Sequence, residues 1–213
     1  MNFEPLRSVT GDPAPAGPPP PLAPRLRHAC RSVHARLHHH PLLAPLLGTG
    51  VTRAAYGRVL RAYHAFYAWI EAALVDYETR ATPAFRYSPR LKLPQLAADL
   101  AALGLACPPA LEAPPPALAS DAEYLGACYV LEGSTLGGRV IAAQLGPRLG
   151  LEPARGLSFF LCYGAEADAR WSEFGAALER CAPEAERVTA SALAVFAAIE
   201  AVLDAHGSTG RDG

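Results

Sequence analysis

Residues 129–141 read YVLEGSTLGGRVI, an apolar run that the flanking sequence makes helical but that carries glycines at 133, 137 and 138. Ser120 or Asp121 supplies an N-cap upstream, so a helix is expected from there through this stretch. Each interior glycine costs a helix roughly 1 kcal/mol against alanine, so three together need a compensating reason. Two readings fit equally: a close contact with another helix, or a bend that presses bare backbone against something flat.

Working outward, every other periodic segment is helical too. Leu26, Cys30, Val33 and Leu37 recur at intervals of three or four, one face of an amphipathic helix that Pro41 ends. Thr52 is a natural N-cap for a long helix to about Tyr77, with Tyr56, Leu60, Tyr63, Tyr67, Ile70 and Leu74 along one stripe. Pro94 fits the first turn of a short helix that closes at Gly104. Two more helices are expected around 168–180 and 183–206, and no segment alternates with period two. The fold class is therefore all-α, a single-domain helical array. The proline-rich residues 1–24 read as a disordered extension, 25–206 as the folded domain and 207–213 as a flexible tail.

Composition narrows the function. With 51% apolar and 18% charged residues among 213, the chain can bury a core, and a net charge of -1 gives no bias toward nucleic acid. No uninterrupted apolar run reaches the roughly 18 residues of a membrane span. Five cysteines without a CxxC pair fit a reducing compartment, hence the cytoplasm. The absence of Glu-x-x-His argues against a carboxylate-bridged di-iron bundle, and of Gly-x-Ser-x-Gly against a serine hydrolase.

His34 lies four residues after Cys30 and three before Leu37, so it borders the apolar face of its helix. Arg27 is two turns earlier on the same face, about 10 Å along the axis. A neutral imidazole is an iron ligand, and a guanidinium holds carboxylates through paired hydrogen bonds, which suits a metal at one end of a ligand and an acid at the other. A hydrogen-bonded boundary histidine and a solvated arginine explain the same spacing. Within His38, His39 and His40, neighbouring side chains diverge on a helix, so a solvated helix end explains the run better than chelation; His64 reads as structural.

With these residues in view, the chain resembles the bacterial biliverdin-producing heme oxygenases, particularly those associated with bacteriophytochromes. Four segments carry the likeness: LRHACRSVHARLHHHP from residue 26, RLKLPQLAADLAALG from 90, YVLEGSTLGGRVI, and GLSFFLCYGAEADARWSEF from 156. The resemblance implies heme sandwiched between a proximal N-terminal helix and a kinked distal helix. It makes His34 the proximal iron ligand and places Gly133, Ser134, Gly137 and Gly138 against the heme, with Gly133 and Gly137 steering bound dioxygen. Arg27 and Arg170 then meet propionates, and Phe196 packs on the porphyrin edge. Heme is cofactor and substrate, cleaved with O2 and an external reductant to biliverdin, carbon monoxide and ferrous iron. Without a dinucleotide fingerprint in the chain, electrons are expected from a ferredoxin or flavoprotein reductase, and a bacteriophytochrome is a possible bilin acceptor. Three positions depart from the pattern: Ser134 stands where mammalian-type enzymes carry an aspartate, Cys30 where a threonine is usual, and Cys128 near a propionate-touching tyrosine. They leave a non-catalytic heme carrier or sensor as the alternative.

Overall fold

The computed structural model describes residues 20–208. Among them there is no strand, only an isolated bridge pairing Glu152 with Arg155 and Gly156. Seven α-helices follow in chain order: α1 (Leu22–Ala29), α2 (Arg31–His38), α3 (Arg53–Arg80), α4 (Leu93–Ala102), α5 (Asp121–Leu149), α6 (Ala167–Leu178) and α7 (Ala185–Ser208).

The expected punctuation forms. Thr52 Oγ1 accepts from Ala55 N at 3.1 Å to open α3, and Ser120 Oγ accepts from Glu123 N at 3.3 Å to open α5. Gly104 (φ +71°) follows α4 in left-handed conformation, as expected, and Gly150 (φ +60°), which the sequence reading did not single out, does the same after α5. The glycine-bearing stretch causes no break, and α5 runs unbroken from Asp121 to Leu149.

Two boundaries differ from expectation. The helix read across Leu26–Leu37 is interrupted at Cys30, whose backbone (φ -87°, ψ 1°) is that of a turn, so α1 and α2 are separate helices. Folded structure also begins before residue 25: Leu22 and Leu26 are fully buried, and Leu22 N donates to Glu179. Pro24 is tolerated because first-turn N–H groups lack intrahelical acceptors anyway. The rest of the proposed N-terminal extension, 1–19, and residues 209–213 of the tail lie outside the described residues.

α5 packs most extensively on α7, and α3 on α7 and α4, so the three longest helices enclose one continuous apolar core. Residues 164–207 include an apolar window (mean hydropathy 1.8) long enough to cross a membrane, but Pro183 interrupts the stretch and α7 packs against α5 and α3. The short α1 and α2 lie against α7, and α2 buries no side chain fully. That leaves a gap between α2 and α5.

Candidate functional site: a cavity between α2 and α5

The gap is a cavity of about 870 Å³, within the range of small-molecule sites. His34 and Phe196 stand on one side of it, while Gly133, Ser134 and Gly137 belong to the α5 side. The His34 ring meets Phe196 edge-on at 6.3 Å between centroids and His38 at 4.6 Å. Burial, and next the charge of His38, hold the His34 imidazole below the usual histidine range, which favours the neutral, metal-binding form at pH 7.

The α5 glycines do different jobs. A Cβ on Gly137 would meet nothing within 4 Å, and on Gly133 only the Trp171 ring at 3.9 Å, so these two present bare backbone to open space. Gly138 is another matter: its Cβ would fall 2.3 Å from the Phe160 carbonyl oxygen. It does not line the cavity, which corrects its assignment as a ligand-facing residue. Its small size instead admits the 157–160 loop, which brings Phe159 and Phe160 to the cavity. Asp99, fully buried, holds that loop by accepting from Ser158 N at 2.9 Å and Phe159 N at 2.8 Å. The close helix–helix contact is made elsewhere, by Gly126, whose Cβ would sit 2.4 Å from Val188 O on α7.

Arg27 and Arg31 line the cavity, and among the described residues neither makes a hydrogen bond or ion pair. Arg27 is close enough to Tyr129 to oppose the burial that pushes that phenol up to about 12. Two unpaired guanidinium groups at one cavity suit a dianionic ligand. Arg170 does not join them: it donates to Glu166 at 2.9 and 3.0 Å and lies 5.0 Å from the Tyr163 ring. Trp171, one residue and 100° further round α6, takes the place at the cavity, so the propionate role expected of Arg170 is not supported.

Several participants carried no signal in the sequence reading. Tyr67 OH donates to Ser134 Oγ at 3.1 Å, since Ser134 uses its own hydrogen on Leu131 O at 2.8 Å. Behind α5, Lys92 Nζ, which reaches the cavity, donates to Glu132 Oε1 at 3.2 Å and Tyr87 OH at 2.9 Å. Arg90 donates to the other Glu132 oxygen at 3.0 Å, and all three charged side chains are at most 4% exposed. The histidine run divides: His38 and His39 line the cavity, whereas His40 is buried and contacts Asp204 at 3.1 Å, so a purely solvated helix end is the wrong description. Among the described residues no three His, Cys, Asp or Glu side chains converge as metal ligands.

The arrangement is that of an all-helical protein with an apolar cavity bordered by an imidazole-bearing helix and a side-chain-poor one. The comparisons give the family. The heme oxygenase family model matches residues 20–205, and the chain belongs to that family. It is 38% identical over 168 residues to a heme oxygenase of Xanthomonas campestris pv. campestris, covering 75% of this chain and 95% of that one. Its fold is similar to that of heme oxygenase from Neisseria meningitidis, solved with NO and CO bound (TM-score 0.74, 22% identity, 92% and 96% of the two chains). It is also similar to heme oxygenase-1 of the cyanobacterium Synechocystis in complex with heme (TM-score 0.71, 15% identity, 88% and 93%).

Proposed function

We propose that this heme oxygenase binds heme between α2 and α5 and cleaves it with O2 and external electrons to biliverdin, carbon monoxide and ferrous iron. One observation carries the reading: His34 and the bare backbone of Gly133 and Gly137 border the same cavity of about 870 Å³. The residues suit the ligand, with a neutral imidazole for the iron, Arg27 and Arg31 for two carboxylates, and Phe159, Phe160, Phe196 and Trp171 for the macrocycle. When bound, heme supplies both the iron that activates oxygen and the ring that is consumed.

The protein's own part is binding and confinement. His34 would hold the iron from the α2 side, and the bare backbone of Gly133 and Gly137 would leave room for a small molecule on the α5 side. The Tyr67–Ser134 pair is the polar element of that wall, a hydroxyl pair already fixed by hydrogen bonds. Reducing equivalents come from a ferredoxin or flavoprotein reductase in the cytoplasm, and a bacteriophytochrome is the candidate acceptor of the product.

The test is to titrate the protein with hemin, record the Soret band, and add ascorbate under air. Decay of that band with growth of broad red bilin absorption is expected; a stable complex would make the chain a heme carrier instead. His34→Ala should abolish the histidine-ligated spectrum, and an unchanged spectrum would move the ligand elsewhere.

A further inference from the structure

His34 and His38 stand one helical turn apart on α2, in the His-x-x-x-His spacing that lets two imidazoles on one helix face share a metal ion. Their ring centres are 4.6 Å apart with the planes at 70°, and both residues line the cavity. Two imidazoles on one ion, at metal–nitrogen lengths of about 2.0–2.1 Å, have ring centres about 4.5–5 Å apart, so the pair is already spaced for chelation. No carboxylate or thiolate completes the set, since among the described residues no three His, Cys, Asp or Glu side chains gather as ligands. A seat of two neutral ligands holds a divalent ion loosely and leaves its other positions to water.

The surroundings give this seat a direction. One turn from His34 toward the N-terminus is Arg31, with Arg27 beyond it on α1, and both cations line the cavity. One turn toward the C-terminus is His38, in the last turn of α2, where the carbonyl end of a helix favours positive charge. The α7 carboxylates that reach this region meet it at the same end, Glu200 on Arg36 at 3.0 Å and Asp204 on His40 at 3.1 Å. A cation freed at His34 is therefore repelled by the arginines and drawn toward His38, while carboxylates are drawn the opposite way.

We propose that His34 and His38 form a two-imidazole seat for a divalent transition-metal ion, and that this seat receives the ferrous iron once the ring around it has been opened. The proposal rests on the heme reading above, which leaves iron on His34 at the end of the reaction. In the step, the bonds from iron to the bilin nitrogens break, the bond to His34 is kept and one to a His38 nitrogen forms, with water filling the remaining positions. No electron moves, and each nitrogen anion that loses the metal takes a proton from water. His38 is thus a residue of iron release and not of ring cleavage.

Two measurements on the full chain test it. In the first, the ligand-free protein is titrated calorimetrically with Ni2+, an ion that suits imidazole ligands. One equivalent should bind, His38→Ala should weaken it by about tenfold or more and His39→Ala should not. Prior loading with hemin should abolish the binding, because His34 is then occupied. In the second, one turnover of the hemin-loaded protein is followed with ascorbate under air. The Soret band should decay equally in the wild type and His38→Ala, whereas iron-free bilin should appear about three- to tenfold more slowly in the variant. Equal Ni2+ affinity in the wild type and His38→Ala, an equal loss in His39→Ala, or equal rates of bilin appearance overturns the proposal. Slower Soret decay in His38→Ala also overturns it and moves that residue into heme binding or ring cleavage. Ni2+ binding that needs both imidazoles, in a protein that forms no heme complex, would instead sink the heme reading and with it the assignment of the seat to iron.

Discussion

The two walls of the cavity are built on opposite principles. The α5 wall belongs to a 29-residue helix with a side-chain N-cap, a glycine C-cap and a buried ion network at its back. The α2 wall is an eight-residue helix with no capping side chain and no fully buried residue, tethered to α7 by Arg36–Glu200 and His40–Asp204. One side presents mostly bare backbone; the other carries the imidazole and Arg31 on a lightly held element, with Arg27 on the neighbouring α1. The division is sensible for a ligand whose reaction must be confined by shape yet whose product must leave.

The contrast can be broken most severely from behind α5. Glu132→Leu strands Lys92 as a buried cation without an ion-pair partner, leaves Arg90 with Glu173 alone, and should cost about 3–5 kcal/mol, read as a fall in the urea midpoint. Asp99→Ala removes the acceptor for two backbone N–H groups and should cost about 2–3 kcal/mol while loosening the loop of Phe159 and Phe160, visible as faster amide exchange at Ser158 and Phe159. The adjacent glycines sharpen the comparison because they should respond with opposite sign. Gly138→Ala forces a methyl into the Phe160 carbonyl and should lose about 1–3 kcal/mol in a thermal melt. Gly137→Ala should gain about 0.5–1 kcal/mol in the ligand-free protein and weaken CO binding to its heme complex, since the methyl occupies the open space. Smallest of all, Arg36→Ala at the exposed tether should lower the urea midpoint only slightly, and less at high salt.

The sequence made some of this legible and hid the rest for identifiable reasons. Thr52, Ser120 and Gly104 announce helix ends because capping chemistry is local. His34 and the glycine-bearing stretch were visible for the same reason. What escaped depends on rotation about a helix axis or on distant partners. Arg170 and Trp171, like Gly137 and Gly138, are 100° apart on their helices, and only packing decides which of each pair meets the cavity. Glu132, Lys92 and Arg90 look like surface charges until three separate segments converge on them. The turn at Cys30 carries neither glycine nor proline, so its apolar spacing reads as one unbroken helix.

Because α2 sinks no side chain completely into the protein, its hold on the fold rests on its packing against α7 and on its two tethers to that helix. A ligand seated against both α2 and α5 would add contacts on the side of α2 away from α7, so its binding and the steadying of that helix would be one thermodynamic event.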